Sequence, residues 1–314
     1  MTKLLISSIL LYLLAYPAQA VILLGQDNNA NQTDPGTGVP WDAVGKVTNS
    51  DGSGIQGSAI YLGEGFLLTA NHVAMNLTYS FITFDEANYF SIDPNFNDGT
   101  RTYGKQVATG VDMAVIKLIS TPTTPPVAAS LLTTNTESFG ATDSATLVGW
   151  GVGRDPSSPV GSGSITWGGV ETSEKRWGVN APRASGPVGY TLAGIDYTFE
   201  GLVTYDGSST TGPSNTRGLG PNEASVTLYD SGSGLFQDIG GTWYLIGLTD
   251  AAGSVAPNIS TYGSDGPGGG DSNIYGRVST YETQITALVP EPSTVSLLAL
   301  TAAALAGVAF RRRR

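Results

Sequence analysis

The chain contains no cysteine. That removes disulfide staples, a thiol nucleophile and any Cys-ligated metal, so stability rests on the core alone. Charge is scarce, with 13% Asp, Glu, Lys and Arg, and basic residues are scarcest: 15 against 26 acidic, a formal net charge of −11. A surface of that sign argues against nucleic acid or anionic membrane as the partner. There is one histidine, His72. No long helical period runs between the termini.

What the chain has is glycine and proline, 42 and 17 of 314 residues, separating short runs of Val, Ile, Leu, Tyr and Thr. Such runs between turn signals read as an all-β, loop-rich protein of the secreted type. Its length allows one large β domain or two smaller ones. Residues 1–20 hold Lys3, an apolar run over 4–14 and the small-x-small site Ala18-Gln19-Ala20. They form a signal peptide, since the run is too short to span a membrane. At the other end Val289-Pro290-Glu291-Pro292 precedes an apolar segment, 293–310, at the short end for a transmembrane helix. The basic tail 311–314 would stay on the cytoplasmic side. This order within 289–314 resembles the PEP-CTERM sorting signal of Gram-negative bacteria. The resemblance implies an exosortase-type processing enzyme as partner and cleavage near Pro290. It also implies export through the inner membrane to the cell surface or extracellular matrix, with membrane contact only through the helix before processing. A plain tail anchor is the alternative. Loss of both ends removes Lys3, four arginines and Glu291, which deepens the net charge to −15.

Residues 21–40, rich in Asn, Gly and Asp, read as a flexible leader. From Trp41 short strands follow one another through Gly turns, ending in Leu67-Leu68-Thr69-Ala70-Asn71-His72. A lone histidine is most often structural. An exposed small-residue turn after an apolar strand is a poor place for a core histidine, and His72 is the one side chain suited to act as a base near neutral pH. Asp93-Pro94-Asn95-Phe96-Asn97-Asp98-Gly99, in the polar 85–98 stretch, hints at a calcium loop. The glycine comes one residue late and Gly104 stands where a bidentate Glu should close the site, so the stretch reads as a solvated loop and no metal ligand is assigned. Asp112 opens the apolar run 113–118, either as a turn residue or as a carboxylate held against an imidazole. Residues 119–143 read as a linker, and a second β pattern starts at Ala145. Within 152–223, residues 175–178 and 190–199 are the best strand candidates. Tyr229-Asp230-Ser231-Gly232-Ser233-Gly234 is a tight turn before an apolar strand. It suits a presented serine hydroxyl, although any hairpin turn selects the same residue types. Residues 278–288 read as a short closing helix.

His72, Asp112 and Ser231 thus occur in that order, each at a strand edge, with a composition break between Asp112 and Ser231. A serine hydroxyl is a poor nucleophile until a base takes its proton, and the base works best when a carboxylate orients it. With these residues the chain resembles the trypsin/chymotrypsin-like serine endopeptidases over about residues 41–285. Five landmarks carry the likeness: 68–72, 112–118, Val148-Gly149-Trp150-Gly151, 230–234, and Ile274-Tyr275-Gly276-Arg277-Val278-Ser279-Thr280-Tyr281. The resemblance implies two antiparallel six-stranded β-barrels (about 41–132 and 145–288) within a 41–288 protease domain, with the active site in the cleft between them. It implies His72 as general base, Asp112 as orienting carboxylate and Ser231 as nucleophile, Ser233 ranking second. Backbone N–H groups of Tyr229 and Ser231 would form the oxyanion hole, and Ser225 would stand at the base of the specificity pocket, with Asp250 near it.

The chain also departs from that pattern. Tyr229 replaces a glycine favoured where the backbone needs an unusual φ. Asp250-Ala251-Ala252 replaces the usual Ser-Trp-Gly, and a second carboxylate near Asp112 is unfavourable unless exposed or protonated. Asp230, which in activated relatives pairs with a new N-terminal ammonium, is expected to be held by local hydrogen bonds instead. The resemblance implies an exported serine endopeptidase that acts on a protein or peptide substrate through an acyl-enzyme, without a cofactor or metal. The alternative is a catalytically inactive fold of the same type serving as a surface binding or matrix protein.

Overall fold

A computed structural model describes residues 21–49, 54–78, 80–140, 143–192, 194–207, 219–253, 258–261 and 271–289. The expected signal peptide (1–20), C-terminal helix (293–310) and basic tail (311–314) lie outside the described residues. Among the described residues, no helix is long and apolar enough to cross a membrane.

The chain begins with β1 (Ile22–Leu23), β2 (Val44–Thr48), β3 (Ile55–Gly63), β4 (Phe66–Thr69) and the short helix α1 (Asn71–Met75). Next come β5 (Phe81–Thr83), β6 (Tyr89–Ser91), β7 (Lys105–Gln106) and β8 (Ala114–Lys117). The second half holds β9 (Ala145–Gly149), β10 (Ser164–Thr166), β11 (Arg176–Asn180), β12 (Ala184–Leu192), β13 (Ile195–Tyr205) and β14 (Ala224–Ser225). It ends with β15 (Gly234–Ile239), β16 (Thr242–Gly253), β17 (Ile259–Thr261), β18 (Ser272–Arg277) and α2 (Val278–Leu288). Two antiparallel sheets dominate, in the orders β6-β5-β2-β3-β4-β8-β7 and β11-β9-β15-β16-β18-β13-β12. Each therefore has seven strands rather than six, the first because the two-residue β7 pairs along β8.

The register of the first sheet delivers the site. β4 is apolar and wholly buried, and it pairs with β8 so that Thr69 faces Ala114. Because the strands are antiparallel, the chain leaving Thr69 meets the chain arriving at Ala114 at the same end of the sheet. His72 and Asp112 are the polar residues there. One apolar core runs under both sheets, including Leu67, Leu68, Ile82 and Ile116 from the first and Val148, Phe236, Leu245 and Leu248 from the second.

Three segments differ from their reading in the sequence. Residues 190–199, expected as one strand, cross a hairpin: Tyr190 on β12 lies opposite Tyr197 on β13, with Gly194 at φ +80 in the turn. The 119–143 linker is bonded to both sheets, Ala129 N–H to the Tyr61 carbonyl and Leu132 N–H to the Leu245 carbonyl. The leader is the larger correction. Val21, Ile22, Leu23 and Leu24 are buried, and β1 pairs with β14 through Ile22 opposite Ser225. The physical reason is local apolarity: Val21-Ile22-Leu23-Leu24 is the one hydrophobic run in a polar stretch, and it packs Val21 and Leu23 beside Leu147, Leu202 and Tyr275 and Ile22 and Leu24 against Ile165.

Two buried arginines tie this strand down. Arg154 donates from Nη2 to the Leu23 carbonyl (2.5 Å) and the Gln26 carbonyl (3.2 Å), and from Nη1 to the Pro159 carbonyl (2.6 Å). Arg176 Nε donates to the Asn28 carbonyl at 3.1 Å. An unsatisfied buried carbonyl costs about 1–3 kcal/mol. Arg154→Met is therefore expected to lower the unfolding free energy by at least about 2 kcal/mol, read as a lower urea midpoint at unchanged slope. An unchanged midpoint would show that the strand is not held this way.

Candidate active site

His72 lies in the first turn of α1, after the extended residue Ala70. Its Nδ1 stands 2.6 Å from Asp112 Oδ2, and its backbone N–H donates to Asp112 Oδ1 at 2.8 Å. The Asp112 side chain is fully buried, and the imidazole is 15% exposed. One carboxylate thus fixes both the helix start and the ring. A proton on Nδ1 leaves Nε2 as the basic nitrogen.

The loop 227–233 is two consecutive tight turns sharing Asp230. Asp230 N–H donates to the Thr227 carbonyl (3.2 Å), and Ser233 N–H donates to the Asp230 carbonyl (2.8 Å). The third residue of each turn has positive φ, +70 at Tyr229 and +86 at Gly232. Turns that need positive φ there select glycine, and a non-glycine residue costs about 1–2 kcal/mol. Gly232 has a second reason to be glycine: a Cβ would sit 2.0 Å from the Ser58 carbonyl oxygen. The N–H groups of Asp230, Gly232 and Ser233 are all bonded. Those of Tyr229 and Ser231 have no partner among the described residues.

Asp230 anchors these turns from inside. It is fully buried, with Oδ1 accepting from Gly151 N–H (2.9 Å) and Oδ2 from Thr227 N–H (2.9 Å) and Thr227 Oγ1 (3.0 Å). Burial pushes its carboxyl up to about 6 against those hydrogen bonds. This is the local bonding expected of Asp230, and it explains the Gly149-Trp150-Gly151 landmark, since a Cβ on Gly151 would meet the carboxylate carbon at 2.5 Å.

Across the sheet boundary Ser231 carbonyl accepts Ser58 N–H at 2.8 Å, and Gly57 lies between that carbonyl and Val73, the neighbour of His72. Ser231 is half-buried beside α1, and its hydroxyl forms no hydrogen bond with His72 among the described residues. Ser233 points inward instead, fully buried, its hydroxyl 3.1 Å from Ser58 Oγ. Ser225 is buried on β14 with its hydroxyl on Ser260 Oγ at 2.8 Å.

Asp250 occupies a β-bulge of β16, where the register with β18 shifts between Thr249 and Ala251. Bulges re-aim side chains, and this one turns a carboxyl inward beside Gly276. Asp250 is buried, and among the described residues neither oxygen has a side-chain hydrogen-bond partner, Gly276 N–H being the one backbone donor near it. Burial first, and then the charge of Asp112, push its carboxyl well above the usual range.

Sequence reasoning missed several residues here. Tyr190 donates its hydroxyl to Asp112 Oδ2. Asn71 Nδ2 donates to the Tyr197 hydroxyl at 3.2 Å, and its Oδ1 accepts from Arg101. Asn71 stands inside the histidine motif without a role of its own there, and no local motif marks the others, because Tyr190 and Tyr197 come from a hairpin of the other sheet and Arg101 from a polar loop.

Comparison with solved structures bears on the fold. The chain is similar to the Rv3671c protease of M. tuberculosis. In its active form the match is 12% identical over 88% of this chain and 93% of that one, with a TM-score of 0.50. In an inactive form it is 11% identical over 83% and 94%, also with a TM-score of 0.50. The MamO protease domain of Magnetospirillum magneticum in its apo form aligns at 14% identity over 78% and 97%, with a TM-score of 0.48. The fold is that of the trypsin-like serine proteases. Residues 288–314 match the PEP-CTERM protein-sorting motif, so the chain carries that sorting signal at its C-terminus. No curated protein matches the chain in sequence.

A carboxyl that holds its proton more tightly folded than unfolded supports the fold at low pH and weakens it as pH rises above the unfolded value near 4. Asp250→Asn removes that loss. Its stability gain over the parent is expected to be at least about 1 kcal/mol larger at pH 8 than at pH 3. Thermal unfolding across that range checks it, and a gain independent of pH would contradict a protonated Asp250.

Proposed function

We propose that the protein is an exported serine endopeptidase using Ser231, His72 and Asp112. The observation that carries this reading is the 2.6 Å contact between His72 Nδ1 and the fully buried Asp112. The half-buried hydroxyl of Ser231, on a loop bonded to the strand beside α1, is the nucleophile. Its attack on a peptide carbonyl passes the hydroxyl proton to His72 Nε2, while Asp112 stabilises the imidazolium. The tetrahedral oxyanion is held by Tyr229 N–H and Ser231 N–H, two loop donors without a partner among the described residues. His72 then protonates the leaving amine, and water hydrolyses the acyl-enzyme by the same route.

The sorting motif supports export and surface delivery. We assign the C-terminal segment to an exosortase-type enzyme that cuts near Pro290, the 293–310 helix being the membrane contact before processing. Substrate is a protein or peptide, and Ser225 as the pocket base disfavours a Lys/Arg preference.

A serine-directed fluorophosphonate tests the reading. Ser231 is expected to carry the adduct, and His72→Ala is expected to abolish it. A folded protein that does not label would favour the binding or matrix module. The oxyanion assignment has its own test. Tyr229→Gly keeps the positive φ and is expected to retain labelling. Tyr229→Val, whose β-branched side chain resists that backbone, should slow it on the order of 100-fold. Equal rates in the two variants would remove Tyr229 N–H from the oxyanion hole.

A further inference from the structure

The Asp112 carboxylate is held by more than the histidine. Oδ1 accepts the His72 backbone N–H, and Oδ2 is shared between His72 Nδ1 and the Tyr190 hydroxyl. We propose that Tyr190 is a positioning residue: from the second sheet it fixes the outer oxygen of Asp112, and with it sets the orientation and basic strength of His72. This rests on reading His72 and Asp112 as the catalytic pair.

The hydroxyl is aimed by packing. Tyr190 sits on β12 directly opposite Tyr197 of β13, with ring centroids 5.4 Å apart. The Phe199 ring stands edge-on to it at 5.9 Å and 87°. An aromatic side chain has two torsions, and contacts on two sides leave little freedom in either. Burial, Asp250 and Asp112 all push the phenol far up, so it remains a donor across the working pH range.

The other groups facing Asp112 do not replace this donor. Asp250, from β16, has no side-chain hydrogen-bond partner among the described residues, and burial and Asp112 push its carboxyl well above the usual range. The Tyr197 hydroxyl accepts from Asn71, and Arg101 is engaged with Asn71 and Asp98. Tyr281 of α2 feels Asp250 but donates its hydroxyl to no group here, accepting Glu200 N–H instead. Among the described residues, the donors to Asp112 are therefore His72, twice, and Tyr190.

The chemical consequence has a sign. A phenol donating to Oδ2 draws off negative charge that would otherwise stabilise the imidazolium. Removing the hydroxyl concentrates that charge on His72 and makes it a stronger base, while freeing the carboxylate to turn. A tyrosine that only fills space would change neither.

Because His72 is the only histidine, its imidazole can be followed by NMR in the isotope-labelled full-length protein without assignment. In Tyr190→Phe the imidazole titration midpoint is expected to move up by about one unit. The labelling rate constant at saturating fluorophosphonate should fall roughly ten-fold with its half-saturating concentration unchanged. Tyr190→Met, which keeps an apolar side chain without the hydroxyl, must show the same upward shift. An unmoved midpoint in a folded variant of either kind overturns the proposal. Parent labelling at Ser231 with an unmoved midpoint sinks only the role of Tyr190. A moved midpoint in a parent that does not label keeps the Tyr190–Asp112–His72 link and sinks the endopeptidase.

Discussion

The hydrogen bond from Ser58 N–H to the Ser231 carbonyl is the contact on which the geometry of the site depends. It joins a strand of the first sheet to the loop that opens a strand of the second. Around it every position is tight: Gly232 admits no side chain, Ser233 is locked on Ser58 Oγ, and Trp150 takes the same hydroxyl through its backbone N–H at 3.1 Å. Trp150 also donates from Nε1 to the Val44 carbonyl at 3.2 Å, so the seam is bonded at more than one depth. A loop held so rigidly fixes its backbone donors before any reaction, which is the condition for electrostatic stabilisation of a developing charge.

Three buried carboxyls divide the work by the number of donors each receives. Asp230 collects backbone and hydroxyl donors from Gly151 and Thr227 and serves as the internal frame of the turns. Asp112 collects donors from His72 and Tyr190 and holds the imidazole. Asp250 collects no side-chain donor among the described residues, and its carboxyl is the one pushed well above the usual range by burial and by Asp112. Two adjacent buried carboxylates cannot both ionise cheaply, so leaving Asp250 neutral protects the charge on Asp112. The β-bulge that turns Asp250 inward is thus compatible with the site, though it weakens the fold as pH rises.

The N-terminal strand changes how the second sheet is understood. Residues that read as a leader lie under Arg154 and Arg176 and pair with the strand that carries Ser225. Their polar composition concealed four consecutive apolar residues, and composition averaged over twenty positions cannot register so short a run. The hairpin across 190–199 escaped for a related reason. The apolar alternation only changes phase, from 190 and 192 to 195, 197 and 199, and Gly194 is the one local sign of the reversal.

What the sequence determined by itself is what depends on local spacing. The all-β class follows from short apolar runs between glycines, the closing helix from its pattern over 278–288, and the order of His72, Asp112 and Ser231 from motifs a few residues long. The need for an unusual φ at Tyr229 was also legible, because a turn's demand on its third residue is local. Tertiary structure decided the rest. It made Asp112 the partner of His72 through a strand register, buried Ser233 while leaving Ser231 half-buried, and brought Tyr190 to Asp112 from 78 residues away. Long-range pairing sets these contacts, and the spacing of residues along one strand carries no record of which side chain will arrive from another sheet.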